Sequence, residues 1–169
     1  MKEYPEDLKD LYMEFGRAAE IAQVMEVEAG NLALAFVALA FDPATITDDK
    51  RRIFQAVVDD VNRRTFGNLL KQIRKIGDIS EAIESSVTEA LEKRNYLIHK
   101  FFRTHNLAIH SQEGREAMRA ELREISEVLS RAHTILSGMT HTLNEIFDRP
   151  NISEEGARKF MKKGKRVGI

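Results

Sequence analysis

Apolar residues recur in steps of three and four along two long stretches of the chain. Leu8, Leu11, Phe15, Ala18, Ala22, Met25, Ala29, Leu32, Phe36 and Leu39 mark the first. Met118, Leu122, Ile125, Leu129, Ala132, Leu136, Met139, Leu143 and Ile146 mark the second. Alternating steps of three and four hold side chains on one stripe of a helix, the seam of left-handed helix packing. The pattern predicts long helices over about 6–40 and 112–147. Ala18, Ala22 and Ala29 leave room for a neighbouring helix to approach the first closely.

Shorter segments lie between. A loop is expected at Phe41-Asp42-Pro43-Ala44-Thr45-Ile46, then a helix over about 48–64. Thr65-Phe66-Gly67 reads as a break and 68–75 as a further short helix. Asp78 with Glu81 three residues later has the form of a capping box, which predicts a helix over about 81–103. Residues 106–111 read as a connection, with Ser111 as N-cap of the last long helix. Pro5, Pro43 and Pro150 all fall at ends, and none interrupts a periodic segment. Two long helices with matching seams need each other and the shorter helices to cover their stripes. The expected fold is all-α, an up-and-down bundle of four to five helices over residues 1–150, followed by a basic tail over 151–169. A helix of about 35 residues is ~50 Å long, longer than the short helices can cover, and this favours a dimer.

The segment 81–103 departs from its own pattern. At 100° per residue from Ile83, the positions Val87, Ala90, Leu91, Leu97, Ile98, Phe101 and Phe102 fall on one apolar stripe. Arg94 falls in the middle of it. A guanidinium among apolar neighbours is costly unless it meets a counter-charge or lines a polar cleft. Asn95 and His99 lie at one flank of the stripe, one turn apart, so their side chains can touch. Violations of local patterning tend to mark sites, though an ordinary ion pair for Arg94 and a solvated His99 satisfy the same spacing.

Composition narrows the chemistry. The chain of 169 residues has 26 Lys and Arg against 27 Asp and Glu, with no Cys and no Trp. Without cysteine there is no disulfide framework, thiolate zinc site, iron–sulfur cluster or cysteine nucleophile. Near-neutral charge argues against wholesale nucleic-acid binding but not against a local basic patch. The first seven residues are acidic and lack an apolar run, which predicts no signal peptide. The most apolar stretch, 31–41, is about half the ~20 residues a membrane span needs. A cytoplasmic protein without a membrane partner is expected.

The run Arg94-Asn95-Tyr96-Leu97-Ile98-His99 resembles the R-x4–6-H motif of the HEPN superfamily (higher eukaryotes and prokaryotes nucleotide-binding domains), with a polar residue after the Arg and apolar residues before the His. In architecture the resemblance extends over about 6–147; in specific residues it is confined to 94–99. It implies a helical bundle that dimerises around the motif. Many members are metal-independent endoribonucleases, often toxins or phage-defence proteins, while others are inactive or bind nucleotides. By position Arg94 and His99 match the catalytic pair and Asn95 the accessory polar residue. The implied partners are RNA, a second copy, and an antitoxin or nucleotidyltransferase-type protein. One toxin subset has a Tyr two residues after the His, which the nucleotidyltransferase modifies. Phe101 stands there in this chain and argues against that form of neutralisation.

The chemistry is consistent with those residue types. Metal-free RNA cleavage needs a base for the 2′-hydroxyl proton, an acid for the leaving 5′-oxygen and a cation for the phosphorane charge. Histidine with its ordinary pKa of about 6.5 serves as acid or base, and Arg offers a planar fork to phosphate oxygens. Asn can orient either. One motif supplies one His, whereas a symmetric dimer supplies two. No cofactor or metal is implied.

Other candidates are weaker. The tail carries Arg158, Lys159, Lys162, Lys163, Lys165 and Arg166 and no acid between them. It could grip RNA phosphates through salt-sensitive contacts, remain a solvated tail, or be drawn to the acidic first thirty residues. His133 and His141, with Ser137 between, share roughly one face, but no carboxylate or Cys completes a zinc set at helical spacing. His105 and His110 read as structural or solvated. The pairs Asp48-Asp49 and Asp59-Asp60 read as cap and solvated-face residues, since neighbours on a helix point 100° apart.

Overall fold

The computed structural model describes residues 4–38, 47–76 and 79–146. Among them the chain is all helical, without a strand. The elements are α1 (Glu6–Ala38), α2 (Asp48–Arg63), α3 (Phe66–Ile76), α4 (Glu81–His99), α5 (Phe101–Thr104) and α6 (Gln112–Ile146), with a 3-10 turn at Ala108–His110 before α6. The segments 39–46, 77–78 and 147–169 lie outside the described residues, and with them the predicted loop around Pro43, Asp78 and the basic tail.

The middle of each predicted seam is buried, while Leu8, Phe15, Phe36, Met139 and Leu143 are half-buried and Leu39 lies outside the described residues. On α1, Leu11, Ala18, Ala22, Met25, Ala29 and Leu32 are all within 1 % of complete burial, and on α6 so are Met118, Leu122, Ile125, Leu129, Ala132 and Leu136. Removing that much apolar surface from water is the main favourable term in the fold. Ser111 caps α6 as its position suggested, its Oγ accepting from the Gly114 N–H at 3.0 Å.

Four boundaries differ from expectation, each for a physical reason. The N-cap of α4 is Ser80, whose Oγ accepts from Ile83 N at 3.5 Å, so Ser80 occupies the role assigned to Asp78. Phe66 and Gly67 do not break the chain but open α3. Phe66 is buried and begins the stripe Phe66, Leu69, Leu70, Ile73, whose steps are helical. The helix expected over 81–103 stops at His99: Lys100 takes φ −128°, ψ −26°, and the one-turn α5 resumes beyond it. The connection 106–111 contains the 3-10 turn. Ile98, placed on the apolar stripe of α4, is 40 % exposed, because burial centres on Ala90, Leu97 and Phe101 and leaves Ile98 at the edge.

Two compact units emerge, one of residues 1–25 with 79–135, the other of 26–78 with 136–169. In the first, aromatic rings form the centre beside the α4–α5 break. Phe15 lies 4.7 Å from Phe102 and 5.9 Å from Phe101, Tyr12 lies 6.0 Å from Phe102, and Phe101 itself is buried. In the same unit α1 and α6 are laced by ion pairs. Arg115 reaches Asp7 at 2.6 Å, Arg119 reaches Asp10 at 3.3 Å and Glu14 at 3.2 Å, and Arg123 reaches Glu14 at 3.1 Å. Residue numbers rise together along both helices, so these two segments run parallel. In the second unit Val61, Phe66, Leu69, Leu70 and Ile73 are buried, and Gly30 passes close to Val61.

Candidate functional site

Arg94, Asn95 and His99 occupy the last two turns of α4. Arg94 sits at an angle within the arc of buried Val87, Ala90 and Leu97, and its Nε is buried. Its guanidinium nevertheless reaches the surface, where Nη1 donates to Asn95 Oδ1 at 3.1 Å. That hydrogen bond helps to fix the plane of the guanidinium. Asn95 and His99 are both exposed. Arg94 and Asn95 are therefore brought together. His99 is not joined to either, and among the described residues its imidazole makes no hydrogen bond or ion pair. It is the final residue of α4.

A second constellation, which joins Tyr96 of α4 to residues beyond it, was not anticipated. His105 Nε2 lies 2.6 Å from Glu121 Oε2 and 3.3 Å from the Tyr96 hydroxyl, and the Phe101 ring packs against the imidazole at 4.9 Å. An ionised carboxylate only accepts, so Nε2 carries the hydrogen in that contact. Burial, followed by the hydrogen bond to and the charge of Glu121, pushes the Tyr96 hydroxyl above its ordinary 10.0, while a hydrogen bond with Thr104 pulls the other way. This network ties the end of α4 to α6. His105 is thus structural, one of the two roles its position allowed; nothing in local spacing reveals a partner sixteen residues away.

The remaining candidates are dispersed. His110 is exposed, and His133 is half-buried. His141 faces Glu145 at 3.1 Å one turn along α6. Asp59 accepts from Gln55 at 3.0 Å and Asp60 from Arg64 Nε at 2.8 Å, so neighbours on their own helix engage both. Asp49 lies 3.5 Å from Arg52 in the first turn of α2. Among the described residues no three His, Asp or Glu side chains converge as a metal site would require, and no helix is long and apolar enough to cross a membrane. Arg158, Lys159, Lys162, Lys163, Lys165 and Arg166 lie outside the described residues. A groove between α1 and α6 is lined by Glu14, Arg17, Ile21, Arg123, Ser126 and Glu127, whose charges cancel.

No protein family matches this chain, and neither does any characterised protein or solved structure.

Proposed function

We propose that the chain is a HEPN-type, metal-independent endoribonuclease that works as a homodimer, in the manner of a toxin or phage-defence protein. The observation that carries this reading is the end of α4. A half-buried arginine is oriented by the asparagine beside it, and an exposed histidine follows one turn later. In this reading the outer guanidinium edge of Arg94 binds the scissile phosphate, and Asn95 holds that edge in place. His99 takes the 2′-hydroxyl proton as that oxygen attacks phosphorus. The His99 of a second copy gives a proton to the departing 5′-oxygen, leaving a 2′,3′-cyclic phosphate. An up-and-down bundle pairing two such helix ends brings two His and two Arg to one cleft.

A second reading is a non-catalytic HEPN-like binding or regulatory subunit for a nucleotide or protein partner. The half-buried position of Arg94 and its engagement by Asn95 favour it.

The experiment is cleavage of mixed RNA in EDTA by the full chain, beside His99→Ala and Arg94→Lys. The expected result is metal-free cutting with cyclic-phosphate ends that falls at least 100-fold in both variants, the scale of losing an acid–base group or a phosphate fork (~10²–10⁴). Folded, dimeric protein that leaves all RNA intact favours the binding subunit. Cutting undiminished in both variants overturns the assignment of Arg94 and His99.

A further inference from the structure

Between Glu92 and Glu113 the chain holds no Asp or Glu, yet it carries Lys93, Arg94, Lys100 and Arg103 with His99, His105 and His110. Acid-free basic stretches also occur at 61–77 and 156–169, but this one contains the candidate site residues Arg94 and His99. It folds into one corner of the first unit: the end of α4, the break at Lys100, α5 and the 3-10 turn.

Several of the corner's basic side chains reach solvent without a counter-charge. His99, Lys100, Arg103 and His110 are exposed, and among the described residues neither their side chains nor that of Lys93 makes an ion pair or hydrogen bond. The arginines of α6 differ sharply, since Arg115, Arg119 and Arg123 are each taken by an acid of α1. Two acids that reach the corner's surroundings are engaged: Glu121 holds His105, and Asp7 holds Arg115. Like charges gathered without carboxylates repel one another, and a polyanion relieves that repulsion. The corner is held in shape beforehand. Arg115 Nη1 donates to the Ile109 carbonyl at 2.9 Å and Glu121 anchors His105, so binding orders little new backbone. Exposed Asn106 and Leu107, the latter 80 % exposed, add polar and apolar contacts for unstacked bases.

We infer that this acid-free corner is a phosphate-tracking surface for single-stranded RNA, with Lys100 and Arg103 gripping the backbone beside His99. The inference rests on the ribonuclease reading and specifies how substrate reaches that site. It shifts the main RNA contact from the basic tail to the α4–α5 break.

The test uses the full chain carrying His99→Ala, so that RNA stays intact. Anisotropy of a fluorescein-labelled single-stranded RNA is followed from about 50 to about 300 mM salt. Adding Lys100→Gln with Arg103→Gln is expected to lower the slope of log K against log salt by about 1.4, at roughly 0.7 per phosphate contact, and to weaken binding at least tenfold at ~50 mM salt. Both substitutions are at exposed positions, and an unchanged circular dichroism spectrum checks the fold. A slope that stays put in this variant but falls in Lys162→Gln with Lys163→Gln overturns the inference. So does binding to phosphatidylserine vesicles without binding to RNA. Cleavage by the unmodified chain separates the two claims. Cutting that depends on His99 alongside an unmoved slope removes the surface and keeps the ribonuclease. Loss of the slope without any cutting keeps an RNA-binding surface and removes the ribonuclease.

Discussion

Glu121 on α6 holds His105 at 2.6 Å, and through it the corner that ends α4. The carboxylate lies 31 % exposed and the imidazole 19 %, so the contact is partly shielded from water. Replacing Glu121 with Ala removes the carboxylate that accepts from His105 Nε2 and leaves the Tyr96 hydroxyl with only His105 and Thr104. Leaving such a donor without its acceptor costs about 1–3 kcal/mol. Urea unfolding should show that loss with an unchanged m-value. A change below ~0.5 kcal/mol would mean that water replaces the carboxylate at no cost.

Tyr96 gives the same network an alkaline signature. Its hydroxyl ionises at higher pH in the folded chain than in the unfolded one, where the ordinary value is 10.0. The stabilisation is therefore fully present below pH 10 and is lost as pH rises through the folded-state value. Tyrosinate absorbance should show one of the three tyrosines ionising late. In Tyr96→Phe the late phase should vanish and the decline of stability above pH 10 should flatten. Identical titrations in the two proteins would contradict the arrangement.

Two glycines make opposite predictions. A Cβ at Gly114 would run into the Ala108 backbone carbonyl, where α6 folds back over the 3-10 turn. Gly114→Ala must push that turn away and is expected to cost about 1–3 kcal/mol, the scale of overpacking. At Gly16, exposed on α1, an added Cβ meets nothing within 4 Å. Gly16→Ala should raise stability by up to ~1 kcal/mol through helix propensity. Thermal melts of both variants check the pair, and equal shifts in one direction would refute it.

The ladder between α1 and α6 should be graded by burial. Arg115 is 12 % exposed and bonds both Asp7 and the Ile109 carbonyl. Its replacement by Met leaves a shielded carboxylate and a carbonyl without their donor, a loss of about 1–3 kcal/mol. Arg123 is 55 % exposed, and the Arg123→Ala loss should stay within ~0.5 kcal/mol and shrink further in high salt. Equal losses from denaturation curves of the two would overturn this ordering.

What the sequence disclosed follows the range of the physics involved. Helical periodicity is local, so the seams through Ala18, Ala22 and Met25 and through Leu122, Ile125 and Leu129 were legible position by position. The Ser111 cap was legible because a hydroxyl beside an N-terminus has one obvious use. Phe66 was misread because the glycine after it looked like punctuation, while the stripe it begins is only visible once burial is known. The stop at Lys100 was hidden for a similar reason, since helical spacing continues through Phe101 and Phe102. His105 with Glu121 depends on tertiary placement and left no local trace. The ladder did leave one: Asp7, Asp10 and Glu14, like Arg115, Arg119 and Arg123, repeat at helical steps. Of the candidate site, the inward position of Arg94 was readable from one amphipathic wheel, whereas Asn95 bonds Arg94 and not His99, the partner the wheel suggested.

The interleaving of the two units has a consequence for synthesis. The first needs residues 1–25 together with 79–135, and the second resumes only at 136. As the chain leaves the ribosome, the apolar stripe of α1 waits for α6 to emerge before Asp7, Asp10 and Glu14 meet their arginines. Neither unit can be cut out as one continuous piece. A nascent chain stalled before residue 112 presents an open hydrophobic seam, the kind of surface that chaperones hold.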